Sequence, residues 1–225
     1  MPLSLARLRT IFLNPQVLPF LKARPAKATG DRLYAACVTQ ARQPDFYLDY
    51  GVEDAIGARF EMLCLHVTLA VLTLRAVPTT DPRHEQAQET GQALFDAFLG
   101  ALDNTLREQG VGDLAVPKKM KALGIVIYTR MKRWDNLWIA GATVEVQADY
   151  AARTVFAGAD LNAIAESGED SAAIEATPHI LAFTAYIDAT RQKLSADALI
   201  AGRTDWAAIP AVDAPVPPQN QALEA

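Results

Sequence analysis

Apolar side chains return every fourth residue between about Glu85 and Gln109, where Leu94, Phe98, Leu102 and Leu106 are flanked by Phe95 and Leu99. That spacing predicts an amphipathic helix with one face on a core. Gly110 follows where a left-handed cap belongs, and Gly110-Val111-Gly112-Asp113 is a predicted turn with two residues free of the Cβ penalty. Upstream, Leu33, Tyr34, Cys37, Val38 and Ala41 recur at helical spacing between a cap at Thr29 or Asp31 and a stop at Pro44, which predicts a helix over 31–42. Phe46, Tyr47 and Tyr50 form an aromatic connector ending at Gly51. From Ala58 to about Arg75 the chain is apolar on nearly every side, as suits a helix at the centre of a bundle or beneath a binding surface.

A further helix is predicted over about 117–139. At about 100° per residue, Val116, Met120, Leu123, Ile127, Met131, Trp134 and Trp138 fall on one core stripe. The other side carries Lys118, Lys119, Lys121, Arg130, Lys132 and Arg133, with Ile125 and Val126 set among them. An apolar pair among cations is either covered by another helix or is itself a contact surface. Beyond Gly141 the periodicity weakens, with helical patches at 143–156 and 161–165 and a strand over 138–146 kept open. Thr177 as cap and Pro178 in the first turn then begin a helix through Ile180, Leu181, Tyr186, Ile187 and Leu194, and Ser195 opens a short last one ending near Gly202. The expected fold class is all-α: one helical bundle with irregular connections over 31–209, after an arm of residues 1–30 and before a disordered Pro-rich tail over 210–225.

Composition supports a globular chain, with 51% hydrophobic and 21% charged residues among 225. The net charge of -5 is unevenly spread. Residues 1–140 carry 17 Lys and Arg against 14 Asp and Glu, whereas residues 141–225 carry 4 against 12. A basic body suits anionic partners such as lipid head groups or ribosomal RNA; uneven scatter of surface charge is the alternative. The arm contains Arg7, Arg9, Lys22, Arg24 and Lys27 and no acid, so it is a frayed arm, a membrane-surface element or an organellar presequence; Asn14, Pro15 and Pro19 interrupt any secretory core. Two cysteines, Cys37 and Cys64, supply no disulfide framework, which favours a reducing compartment. The longest apolar run, Met62 to Leu74, contains His66 and is shorter than a bilayer span, so no transmembrane helix is expected.

The chemistry is sparse. The chain has no nucleophile elbow, P-loop, dinucleotide fingerprint or HExxH sequence. Cys64 and His66 are two apart and point to different sides of a helix, which disfavours a shared metal. Asp96 and Asp103 share a face but lack the Glu-x-x-His pairs of a carboxylate-bridged metal site. Nucleic acid would meet only the one basic helix, without a stacking platform, so DNA is not expected as a partner.

Three blocks stand in order over about residues 31–135. The first runs from Leu33-Tyr34 through Gln40-Ala41-Arg42 to Phe46-Tyr47 and Gly51-Val52. The second is Arg59-Phe60-Glu61-Met62 with Leu65-His66. The third joins Leu94-Phe95-Asp96 to Leu106-Arg107-Glu108, Gly110-Val111-Gly112-Asp113, Val116 and Tyr128-Thr129-Arg130. Together they resemble the ubiquinol-cytochrome c chaperone family, and the later stretch from Leu181 to Arg203 is similar to that family's less regular C-terminal part. The resemblance implies an all-helical, non-catalytic chaperone with no cofactor and no small-molecule substrate. Such a protein binds newly synthesised cytochrome b and assists assembly of the ubiquinol-cytochrome c reductase, respiratory complex III. It implies a cytoplasmic protein peripheral at a bacterial inner membrane, with the mitochondrial matrix side as the alternative.

On that basis Lys118, Lys121, Ile125, Val126, Tyr128, Lys132 and Arg133 are the candidate client or partner contacts, offering apolar grip and charge on one face. Arg59, Phe60, Glu61, Arg107, Glu108, Gly110, Gly112, Asp113 and Arg130 are the motif residues. Of these, Arg59, Glu61, Arg107, Glu108 and Asp113 are expected at helix ends or turns, as ion pairs and caps or as client contacts. The alternative function is a membrane-surface or ribosome-associated adaptor for another membrane-protein client.

Overall fold

The computed structural model describes residues 25–157 and 175–213, and everything in them is helix, turn or extended connection. Most of the expected arm, the patch at 161–165 and the tail from residue 214 lie outside these residues. Eight α-helices are described: α1 Pro25–Ala41, α2 Pro44–Leu48, α3 Ile56–Arg75, α4 His84–Glu108, α5 Val116–Ile139, α6 Val144–Ala151, α7 Pro178–Lys193 and α8 Ala196–Ile200. The predicted all-α class holds. A π-helical turn, Ala152–Phe156, continues α6.

Helix α3 is the hub. It packs against α1, α4, α5, α7 and α8, and fourteen of its twenty residues are buried. By length and composition it could cross a bilayer, contrary to the expectation from Met62 to Leu74, with a mean hydropathy of 1.4 over its best window. However, 72% of that window is buried inside the protein, as befits the enclosed core helix its all-round apolar pattern predicts.

Several boundaries differ from the pattern, each for a local reason. Helix α1 starts at Pro25, so Thr29 and Asp31 lie inside it and cap nothing. Gly30 looks like a breaker but is a contact: a Cβ there would stand 2.5 Å from the Ala93 carbonyl carbon of α4, so only glycine lets these helices touch. Pro44 ends α1 and also opens α2, where its missing N–H costs nothing. Gly110 (φ 80°) closes α4 with paired bonds from Gly110 N to Arg107 O and Val111 N to Leu106 O. Gly112 has no positive φ and open space around it, so the turn needs one glycine and not two. Residues 138–146 form no strand; α5 runs to Ile139 and Thr143 precedes α6. Thr177 caps α7 as expected, accepting from Ile180 N at 3.3 Å. Residues 210–213, expected in the tail, are held to the body, with the Pro210 carbonyl accepting from the Tyr50 hydroxyl.

Two buried polar clusters organise the core. Glu61 and Arg130 are each 2% exposed, and the Arg130 Nε donates to both Glu61 oxygens at 3.1 and 2.9 Å while Nη2 donates to Oε1 at 2.9 Å. Neither therefore has the expected place: Glu61 is within α3 and not at a helix end, and Arg130 points away from the basic surface of α5. Desolvating two ions costs several kcal/mol each, which only such fork geometry offsets. The second cluster is a directed chain: Gln40 Nε2 donates to the Tyr186 hydroxyl, which donates to His66 Nε2, while His66 Nδ1–H donates to the Met62 carbonyl. Burial drives the His66 pKa down to about 4.

Replacing one member of the ion pair, by Glu61→Gln or Arg130→Met, is expected to lower unfolding free energy by about 3 to 5 kcal/mol, measured from urea midpoints. The double variant should cost less than the sum of the two. The fold holds His66 neutral, whereas the unfolded chain takes up a proton near the usual value of about 6.5. This contribution is complete above that pH and is lost as pH falls toward 4, at ~1.4 kcal/mol per pH unit. Denaturation across this window should show the extra slope in the wild type and not in His66→Gln.

Candidate functional site

The surface of α5 follows from the rotation that its buried side demands. At about 100° per residue, Val126, Arg130 and Leu137 fall between the core stripe and the basic side. All three are buried, so the covered arc is wider than the stripe alone. Val126, at 0% exposure, cannot meet a partner directly and leaves the expected contact face, while Arg130, a motif residue expected on the basic side of the helix, belongs to the ion pair.

What remains forms a row. Lys121, Ile125, Tyr128 and Lys132 are spaced by four, three and four, which aligns them within about 60°. All four are exposed, Ile125 by 45% and Tyr128 by 66%. Lys118 and Arg133, also exposed, flank the row. The Arg133 guanidinium lies 5.9 Å from the Tyr150 ring centroid, and Arg130 approaches the same ring at 6.0 Å from inside. Tyr150 thus joins the ion pair to the surface cation. Chemically, the row offers an apolar and aromatic grip between cations.

The other motif residues hold the frame. Arg59, in the first turn of α3, forks onto Asp54 at 2.5 and 2.8 Å and thereby holds that carboxyl below its ordinary range. Phe60 is buried and stacks on Phe98 with centroids 6.3 Å apart. Arg107 pairs with Asp103 and with Asp113, each at 2.6 Å, tying the end of α4 to the turn before α5. Glu108 is exposed at the last position of α4. Among the described residues no group of three His, Cys, Asp or Glu could hold a metal ion. Cys37 and Cys64 are buried separately, and burial pushes both thiols up, away from reactivity.

Two features lie outside the periodic pattern of the sequence. Leu114, 99% exposed in the turn before α5, and Ile139, 78% exposed at its end, extend apolar surface beyond the row. An isolated leucine in a turn and the last residue of a helix carry no periodic signal. Trp206 belongs to no periodic element of the sequence, yet it covers His66 at 5.3 Å between ring centroids.

Residues 48–206 match the family model described as ubiquinol-cytochrome C chaperone. A solved structure, the crystal structure of the Cbp3 homolog from Brucella abortus, is similar at a TM-score of 0.64 and 28% sequence identity, covering 84% of this chain and 93% of that chain. No curated protein matches the chain. The family match takes in well over half the sequence, including the Arg59–Glu61 block, the ion pair and the exposed row of α5. The chain belongs to the ubiquinol-cytochrome c chaperone family.

Proposed function

We propose that this chaperone holds newly synthesised cytochrome b during assembly of the ubiquinol-cytochrome c reductase, and that the exposed row of α5 is its grip. The observation that carries the reading is the placing of Ile125 and Tyr128, both exposed, between Lys121 and Lys132 on a helix whose opposite side is core. Apolar side chains exposed beside cations suit a client with apolar segments and charged loops, because contact removes apolar area from water while the charges steer the encounter. The same cations would favour an anionic membrane surface, consistent with a peripheral place at the cytoplasmic face of a bacterial inner membrane or on the matrix side of a mitochondrial one. Catalysis is not part of the proposal.

Deleting the gene is expected to lower assembled complex III and the haem absorbance of cytochrome b; unchanged levels would end the reading. A Lys121→Glu, Tyr128→Ala, Lys132→Glu variant with a wild-type melting curve should lose at least tenfold in cross-linking to cytochrome b in cells. If cytochrome b capture survives while salt-sensitive binding to anionic vesicles or ribosomes is lost, the row serves as an adaptor surface and not as the client grip.

A further inference from the structure

After α8 the chain runs from Arg203 to Asp213 without helix or strand. Trp206, Ala207, Ile209 and Val212 pack against the core, the three larger side chains standing three residues apart, while Asp205, Ala208 and Ala211 are exposed. Three residues per turn is the repeat of a polyproline-II strand. Pro210 fits such a strand, having no N–H to satisfy.

Among the described residues, 204–213 make no backbone–backbone hydrogen bond. The fold holds this strap with side chains that bond to its main chain. Lys193 Nζ donates to the Trp206 carbonyl at 2.9 Å, the Ala207 N–H donates to the Thr190 hydroxyl at 3.4 Å, and the Tyr50 hydroxyl donates to the Pro210 carbonyl at 2.5 Å. One side chain has a shaped seat: the Trp206 indole meets His66 edge to face, and that imidazole is fixed by Met62 and Tyr186. Bonds to main-chain atoms that any extended polypeptide carries, joined to one aromatic seat, are how peptide grooves combine tolerance with selectivity.

We infer that the groove formed by Tyr50, His66, Thr190 and Lys193 is a peptide-binding site which the strap fills in cis. A partner polypeptide occupies it by displacing the strap. The partner segment is extended, with an aromatic residue followed by aliphatic residues three and six positions later. A tethered strap competes at an effective concentration on the order of millimolar, so it masks a micromolar site by roughly a hundredfold or more. This inference makes no use of the α5 row and stands or falls apart from it.

The test is fluorescence anisotropy with a labelled peptide of residues 203–213, titrated with the full chain and with full-chain Trp206→Ala. The variant should bind at least tenfold more tightly than the wild type, and a peptide carrying the same Trp206→Ala change should bind neither. Equal binding by the two proteins, or by the two peptides, with circular dichroism unchanged, overturns the inference. Should Trp206→Ala fail to fold, full-chain Ile209→Asp is judged by the same ratio. In the unaltered chain, saturating peptide should speed amide exchange over 204–213; unchanged exchange also overturns it. Charge reversal at Lys121 and Lys132 should leave peptide binding intact, and its loss would mean that the peptide sits on α5 instead.

Discussion

A carboxylate set in an otherwise enclosed apolar helix leaves the protein little choice of neighbours. Glu61 sits in the second turn of α3, a helix in which most side chains are hydrophobic and covered, and its charge requires a partner that arrives with good geometry. Arg130 is that partner, 69 residues away in sequence. Once its guanidinium is aimed at Glu61, the rotation of α5 about its own axis is fixed. Lys121, Ile125, Tyr128 and Lys132 are then on roughly the opposite side of the helix and face outward. The exposed row is the reverse side of the buried pair.

The second polar cluster does for α1 and α7 what the ion pair does for α5. Gln40, Tyr186, His66 and the Met62 carbonyl form a run of hydrogen bonds in one direction, with Gln40 donating, Tyr186 and His66 each accepting from one neighbour and donating to the next, and the carbonyl accepting. Burial keeps the imidazole neutral, so the run cannot reverse direction without leaving a donor or an acceptor unmatched. Trp206 closes the cluster from outside. The core is therefore specified by two directional polar contacts within a large apolar body, and shape alone would fix its helices less sharply.

Much of this was legible in the sequence where the cause is local. Helices α3, α4 and α5 follow from periodicity, and the caps at Thr177 and Gly110 from residue chemistry. The family resemblance over residues 31–135 agrees with the match over 48–206. What could not be seen depends on distant chain. Gly30 reads as a helix breaker until Ala93 is placed against it, and Val126 and Arg130 read as surface until other elements cover that arc of α5. The inward turn of Trp206 and Ile209 was hidden because they follow no helical period, and that of Val212 because the Pro-rich composition from residue 210 resembles disorder.

The contact at Gly30 has a mechanical side. With no side chain between the α1 and α4 backbones, the two helices meet there without a cushion, and even one added carbon would have to part them. Gln40 lies ten residues further along the same helix, about 15 Å away, where it begins the polar run to His66. The smallest residue in the chain thus sets the spacing of the helix that carries the first donor of that run.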